Sequence, residues 1–306
     1  MDKKFKSISV FRKNLIYNTL GELDSNQPEY LVSESIFELP HGKLVKETHW
    51  SADGHMEQAM VYKYTSEGFL LSEELLDHDE SVLEKRTFEP DANNRIACEM
   101  LHYADGSADL IKFFRDSQNR VIRKEYYAED DFLEVVETLK YEEERLIKEL
   151  KTDNEGNLIS ESDYTYNEKG KLIEAVVNNP EEEYWLRKIY AYDDQGVLTT
   201  VTSYNQANTP MERFSYFNDE KGRPVKITEE NKRHMITTEI EYNDKGEIVF
   251  QAELDQQGQL IKQLEKNYDE SGLLTETQVL VRDFNTGVSR SYCLTNRYIP
   301  FENQTE

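Results

Sequence analysis

"YNEKGKLIEA", residues 166–175, reads as the end of one strand, a tight turn and the start of a second strand. Its Asn-x-x-Gly core is typical of a type I turn that ends on a left-handed residue. The motif recurs as YTSEGFLLSE from residue 64, YDDQGVLTTV from 192, YNDKGEIVFQ from 242 and YDESGLLTET from 268. A repeated hairpin corner therefore organises this sequence.

The spacing of the motif sets the size of the repeat. Aligned on the turn glycine, successive anchor positions are 24 to 26 residues apart. They are Gly42, Gly68, Asn94, Asn119, Glu144, Gly170, Gly196, Gly222, Gly246 and Gly272. Asparagine tolerates a positive φ, whereas Glu144 is a poor substitute for glycine. A second turn lies midway, as in SADG at 51–54, so each repeat of about 25 residues is predicted to form two antiparallel strands.

These repeats predict an all-β fold, a long antiparallel meander of about 20 strands in a single curled or coiled sheet. The segment 131–150 is the only one that tempts a helical interpretation, but Leu146 and Ile147 keep the repeat register and favour strands. We expect one domain over 1–306, with a cap at 1–41, repeats at 42–275 and a second cap at 276–306.

Composition limits the class of partner. The chain has 61 acidic and 36 basic residues, a formal charge of −25, and is 37% hydrophobic and 32% charged. Such a chain lacks the Lys and Arg with which proteins displace counterions from nucleic acid, so no nucleic-acid partner is expected. The acidic excess has two interpretations: it keeps a long sheet soluble, or it attracts a basic protein partner.

Motifs for chemistry are missing from the sequence. Cys98 and Cys293 are far apart and form no CxxC pattern, and the six histidines show no metal-ligand spacing. The P-loop, dinucleotide-binding and GxSxG motifs do not occur. We therefore predict a protein that is not an enzyme and that uses no metal or cofactor. No signal peptide or span of about 20 apolar residues is visible, which predicts no membrane contact and a cytoplasmic location unless a leader was removed.

The repeat motif Tyr-x-Tyr-Asp/Asn-x-x-Gly-x-Leu, as in YTYNEKGKL and YAYDDQGVL, resembles the tyrosine-aspartate (YD) repeat of RHS-type proteins. It resembles more loosely the short repeats of the YwqK-type antitoxin family. The resemblance covers about residues 42–275 and implies a coiled sheet of the kind that surrounds toxin domains in RHS proteins. The chain shows no toxin domain after its repeats and no DPxG-like cleavage motif, so the resemblance assigns no catalytic residue.

Two mid-repeat turns contain more acidic residues than the turn motif requires. One places Glu181, Glu182 and Glu183 beside Tyr184 and Trp185. The other places Glu129, Asp130 and Asp131 beside Tyr127 and Phe132. If the register holds, both lie on one edge of the sheet, four strand spacings or roughly 19 Å apart. They are either a binding surface for a basic protein or solvated turns whose aromatic rings cover the sheet.

The sequence as a whole predicts a non-enzymatic β-repeat scaffold that binds a macromolecular partner. The resemblance narrows this to an accessory or immunity-type protein associated with a bacterial toxin or secretion system. The alternative is a carbohydrate-binding module in which exposed tyrosines such as Tyr164, Tyr190 and Tyr216 stack on sugar rings. Four points stay open here: whether the sheet closes into a shell or stays open, the identity of the partner, the oligomeric state and the biological process.

Overall fold

The computed structural model describes residues 5–17, 23–24, 26–128, 131–283 and 288–301. Within them the chain forms 22 strands that belong to one sheet. The first eleven are β1 Phe5–Asn14, β2 Glu29–Glu38, β3 Lys43–Trp50, β4 Met56–Tyr64, β5 Leu70–Leu76, β6 Val82–Pro90, β7 Ile96–His102, β8 Ala108–Arg115, β9 Val121–Ala128, β10 Phe132–Glu142 and β11 Arg145–Asp153. The others are β12 Leu158–Tyr166, β13 Leu172–Asn179, β14 Tyr184–Tyr192, β15 Leu198–Tyr204, β16 Pro210–Asn218, β17 Pro224–Asn231, β18 Met235–Tyr242, β19 Ile248–Leu254, β20 Leu260–Tyr268, β21 Leu274–Asp283 and β22 Val288–Pro300.

The antiparallel repeat is confirmed, including the segment 131–150, whose sequence also suggested a helix. Phe132–Glu142 and Arg145–Asp153 are strands that pair with each other in antiparallel register. Their Val, Leu, Thr and Tyr content suits a pleated surface better than a helix. In the part of the chain that the structure describes, no helix has the length and apolar character needed to cross a membrane.

The expectation of a single curled or coiled sheet is wrong, because the sheet closes on itself. β1 pairs antiparallel with β22, from Phe5 opposite Pro300 to Asn14 opposite Tyr292, and its other side pairs with β2. The first and last strands are thus joined, and the 22-stranded sheet is closed. Closure satisfies the row of backbone N–H and C=O groups that each terminal strand of an open sheet would leave unpaired.

The chain forms two compact units. The first comprises Met1–Ala108, Glu247–Phe250 and Lys262–Glu306, and the second comprises Asp109–Gly246 and Gln251–Ile261. In the first unit, β1 to β7 pair in chain order and β20, β21 and β22 continue from one to the next. In the second unit, β8 to β18 pair in chain order.

The predicted turns are present at the anchors. In the turn that follows β12, the Asn167 side chain accepts the N–H groups of Lys169 and Lys171 at 3.0 and 2.9 Å, and Gly170 has a φ of 77°. A register shift between Thr165 and Tyr166 marks the expected bulge beside the turn.

One anchor needs correction. The left-handed residue between β10 and β11 is Glu143, with a φ of 55°, instead of Glu144. Arg145 pairs directly with Glu142, so only Glu143 and Glu144 lie between the paired strands. The shorter turn moves the left-handed position one residue toward the N-terminus.

Burial is shallow on both faces of the sheet. The buried apolar side chains are dispersed over many strands, and none of the large described side chains is fully buried. Small polar residues such as Thr48 and Ser203 are also buried, at 3% and 5% exposure. Stability therefore depends on the strand ladder and on contacts between side chains along each face.

The motif tyrosine joins one repeat to the next. Tyr192 donates its hydroxyl proton to the carbonyl oxygen of Leu172 at 2.7 Å, on the strand of the preceding repeat. The same bond recurs from Tyr64, Tyr166, Tyr242 and Tyr268 to Leu44, Leu146, Pro224 and Ile248, at 2.9 to 3.0 Å. The hydroxyl satisfies a carbonyl at the start of the outgoing strand, which explains why the motif prefers tyrosine to phenylalanine.

A cation that follows the anchor reinforces this junction. The Lys171 ammonium lies 5.4 Å from the ring centroid of Tyr192 and donates to the carbonyl oxygen of Gly196 at 2.5 Å. Comparable cation–ring contacts join Lys43 to Tyr64, Arg145 to Tyr166 and Arg223 to Tyr242. Four pairs of neighbouring repeats are thus joined by both contacts at the edge that carries the motif turns.

Candidate protein-binding surface

The predicted acidic residues of the first site lie in the turn between β13 and β14. This acidic turn, residues 180–183, begins after Asn179, whose side chain accepts the N–H of Glu182 at 3.4 Å. Glu183 adopts a φ of 51° and donates its N–H to the Pro180 carbonyl at 3.3 Å. The side chains of Glu181, Glu182 and Glu183 are exposed and form no ion pair with any residue that the structure describes. Three negative charges are therefore free to act on solvent or on a partner.

The second predicted acidic site is partly described. Glu129 and Asp130 lie outside the described residues, whereas Asp131 is exposed with a φ of 58°. The four antiparallel pairings from β10 to β14 place this turn and the acidic turn at the same end of the strands. The predicted common edge is thus confirmed for Asp131 and the acidic turn. Four ideal strand spacings correspond to a separation of about 19 Å.

The exposed aromatic side chains differ from the predicted anchor. Trp185 is half-buried in β14, where it stands opposite Asn178. The aromatic residues that directly follow the two turns are more accessible than Trp185: Tyr184 is 47% exposed and Phe132 is 55% exposed. An interface anchor must be able to enter a pocket on a partner, so Tyr184 and Phe132 fit that role better than Trp185.

Sequence reasoning missed a basic turn on the same edge. Two hairpins beyond the acidic turn, residues 232–234 connect β17 to β18. Lys232 and Arg233 are exposed and have no ion pair within the described part of the chain, while His234 lies 3.6 Å from Glu229. The signal was the short run NKRH at the mid-repeat position, in a chain where most other mid-repeat turns are acidic or neutral.

Between the acidic and basic turns lies a neutral turn, residues 205–209, with the sequence NQANT. It leads into β16, where Met211 is 49% exposed. Met211 lines a shallow cavity of about 450 Å³ together with Tyr204, Arg213 and Lys232. The edge of the second unit therefore presents acidic, neutral and basic turns in that order, with apolar side chains beside them.

The tyrosines of the carbohydrate hypothesis are half-buried, contrary to the premise that they are exposed. Burial, together with a hydrogen bond of 2.9 Å to Glu149, raises the pKa of Tyr164 to about 12. Burial also raises the pKa of Tyr190 and Tyr216. The three rings stand opposite aliphatic side chains of the next strand, which are Ala175, Val201 and Ile227. They pack against the sheet, which leaves less ring surface for a sugar to stack on.

A polar cluster on β9, β10 and β11 contains the most buried carboxylate among the described residues. Glu137, only 8% exposed, accepts hydrogen bonds from Lys124 at 2.8 Å and Tyr126 at 2.6 Å, and Lys151 lies 3.8 Å away. Burial alone would raise the pKa of Glu137, but the bonds from Lys124 and Tyr126 outweigh it and hold the pKa below its usual value. A carboxylate so engaged is stabilised in its charged form and connects three strands.

The Cys98 and Cys293 side chains are both half-buried. No group of three His, Cys, Asp or Glu side chains in the described ranges is arranged to hold a metal ion.

No protein-family model and no curated protein matches the chain. Among solved structures, a porin-like protein from Bacteroides uniformis ATCC 8492 is similar at 10% identity and a TM-score of 0.36, with 96% of this chain and 97% of that chain covered. TcdB2-TccC3-Cdc42 is similar at 12% identity and a TM-score of 0.38, with 89% and 19% covered. TcdB2-TccC3-TEV is similar at 12% identity and a TM-score of 0.31, with 90% of this chain and 19% of that chain covered. The chain spans about a fifth of both TcdB2-TccC3 chains, and similarity at this level assigns no function to it.

Proposed function

We propose that this chain is a non-enzymatic β-repeat scaffold that binds a protein with a basic surface. The binding surface comprises the acidic turn, Asp131, and the exposed rings of Tyr184 and Phe132. The observation that carries the proposal is that Glu181, Glu182 and Glu183 are exposed, without ion pairs among the described residues, and adjacent to an exposed aromatic side chain.

Each part of this surface has a separate role in association. Exposed carboxylates on a chain of charge −25 create a field that accelerates encounter with a basic protein. Rim charges contribute little to the lifetime of a complex, whereas an aromatic ring that enters a pocket slows dissociation. Charge therefore supports the association rate, and Tyr184 supports the residence time.

The narrower proposal is an accessory or immunity-type partner of a bacterial toxin or secretion system, acting in the cytoplasm. It is supported by the resemblance of the Tyr-Asp/Asn-x-x-Gly motif to YD repeats. A carbohydrate-binding module is the second candidate, and the half-buried state of Tyr164, Tyr190 and Tyr216 makes it the weaker one.

The test uses proteins encoded by the genes adjacent to this one, purified and measured for binding in a salt series. We expect a basic neighbour to bind the wild-type chain, and we expect Glu181→Gln/Glu182→Gln/Glu183→Gln to slow association about tenfold and to flatten its salt dependence. The matched control is Glu168→Gln/Asp194→Asn/Glu220→Gln. It removes the same charge from exposed positions in motif turns at the other edge and should leave association unchanged.

Tyr184→Ala should instead raise the dissociation rate with little effect on association. A neighbour that binds the triple variant at the wild-type rate in low salt would show that the acidic turn serves solubility alone. Binding of soluble glycans that is insensitive to salt and lost in Tyr190→Ala would favour the carbohydrate candidate.

A further inference from the structure

The order of charges along one edge of the second unit is complementary to itself. The acidic turn follows β13, the neutral turn follows β15 and the basic turn follows β17. The antiparallel pairings of β13 to β18 place all three turns at the same end of the strands. Two strand spacings separate each turn from the next, so the acidic and basic turns lie about 10 Å on either side of the neutral turn.

We infer that a second copy of this chain binds this edge, joined through a two-fold axis at the neutral turn. The axis runs normal to the local sheet and reverses the direction of the edge. It therefore places the acidic turn of one copy opposite the basic turn of its partner, twice in each dimer. The inference rests on the proposed function, because it names a partner for the same acidic turn.

The chemistry of the three turns fits this arrangement. Glu181, Glu182 and Glu183 meet Lys232 and Arg233, and both groups are exposed without ion pairs to the described residues of their own chain. At the axis, where like charges would face each other, the neutral turn has no charged residue. Met211, 49% exposed, follows that turn, so the two copies of its side chain bury apolar surface against each other.

Net charge gives the dimer a distinctive salt dependence. Two chains of charge −25 repel each other over long distances at low ionic strength. At about 0.1 M salt the Debye length is about 10 Å, which screens this repulsion more than it screens the close pairs between turns. Self-association should therefore increase from about 0.01 M to about 0.1 M salt and decrease again near 1 M salt.

The test is sedimentation equilibrium of the purified chain in about 0.1 M salt, at protein concentrations from about 1 μM to 1 mM, where weak association is measured. We expect a dimer for the wild-type chain. Reversal of the acidic turn, Glu181→Lys/Glu182→Lys/Glu183→Lys, and reversal of the basic turn, Lys232→Glu/Arg233→Glu, should each weaken the dimer at least tenfold. Met211→Asp should weaken it without a change in either charged turn.

The decisive sample is an equimolar mixture of the two reversed variants. In that pair every contact between turns is again between opposite charges, so a heterodimer should form although neither variant dimerises alone. A chain that carries both reversals should likewise dimerise. The control Glu168→Lys/Asp194→Lys/Glu220→Lys, at the other edge, should keep the wild-type dimer.

A monomeric wild-type chain, or a mixture of reversed variants that stays monomeric, overturns the inference. A dimer that all variants retain overturns it as well, because the interface then lies elsewhere. Circular dichroism of each variant verifies that its strands are intact. Since these measurements use the purified chain alone, a monomer that still captures a basic neighbour through the acidic turn refutes the dimer and leaves the proposed function standing.

Discussion

At the scale of the residue, two features favour glycine at position 196: a left-handed backbone and a neighbouring side chain close to where a Cβ would lie. Its φ of 80° disfavours any side chain, and a Cβ placed there would lie 2.9 Å from Cε of Lys171. Gly156, in a mid-repeat turn, has a similar φ of 88° but nothing within 4 Å of an added Cβ. The two glycines therefore form a matched pair that distinguishes backbone conformation from close approach.

We expect Gly156→Ala to lower the free energy of unfolding by about 1 kcal/mol, the cost of a left-handed alanine. Gly196→Ala should lower it only slightly further, because the flexible end of the Lys171 side chain can move aside. Asparagine at either position should be milder than valine, since it tolerates the left-handed region. Urea unfolding measures each change. In a double-mutant cycle, Lys171→Ala should recover part of the additional loss in Gly196→Ala, and strict additivity would contradict the close approach.

The hydroxyl of the motif tyrosine can be tested without loss of the ring. Tyr192→Phe removes only the bond to the Leu172 carbonyl and should destabilise the chain by about 1 kcal/mol. Tyr184→Phe is the control, because that hydroxyl bonds no described residue and the side chain is 47% exposed. Equal urea midpoints for the two variants would show that the bond between repeats contributes nothing to stability.

At the scale of the element, Glu137 of β10 holds β9 and β11 through side chains as well as through the ladder. Glu137→Ala would leave Lys124 and Lys151 facing each other without their shared carboxylate. We expect a loss of about 2 kcal/mol, less than a fully buried pair would show because both lysines are partly exposed. Glu181→Ala, measured in the same urea titration, should change stability by less than about 0.5 kcal/mol. A similar effect of both substitutions would contradict the role of Glu137.

The strands and turns were predictable from the sequence because their determinants are local. Ten residues contain every determinant of one turn: the Asn167 cap, the left-handed Gly170 and the apolar start of β13. The turn at Glu143 was misplaced by one residue, since the three consecutive glutamates at 142–144 carry no signal that separates a two-residue turn from a longer one. Residues 180–183 form a turn between strands as the spacing predicted, whereas the half-burial of Trp185 was not predictable, because adjacency to charge does not reveal a residue's position in the ladder.

At the scale of the whole molecule, closure was not predictable from the repeat. It depends on twist summed over 22 strands, and the strands that complete it, β1, β2 and β22, lie in segments that lack the motif. The same holds for the order of charges along the edge of the second unit. Each turn is locally ordinary, and only the antiparallel pairing shows that an acidic, a neutral and a basic turn are neighbours.

Acid and base should both destabilise the molecule, through different groups. Hydrogen bonds from Asn157 and Arg223 lower the pKa of Asp153 and Asp219 below 3.8, so their contribution is present above that pH and lost as the pH falls through the folded-state values. The pKa of Tyr164 is raised to about 12 in the folded chain, so its contribution is present below pH 10 and lost as the pH rises toward 12.

We therefore expect urea midpoints to be constant from about pH 5 to about pH 9 and to decrease outside that range. Tyr164→Phe should reduce the decrease on the alkaline side. A midpoint that stays unchanged from neutral pH to pH 11 would show that the tyrosines of the sheet face are not protected from ionisation.

The pairing of β1 with β22 also has a consequence for biosynthesis. β1 is the first described strand to leave the ribosome, and the partner for its outer side is the last, so translation must proceed for about 15 to 60 s before that edge is covered. During this interval a nascent chain would expose a pairing-competent edge to its neighbours on the same messenger RNA. Lys6, Arg12 and Lys13 place positive charge on that strand, which discourages premature pairing between polysomal chains. Once β22 pairs with β1, the Arg12 guanidinium lies 3.8 Å from the ring centroid of Tyr292. The side chain whose charge discourages premature pairing of β1 therefore stabilises the completed pair of strands.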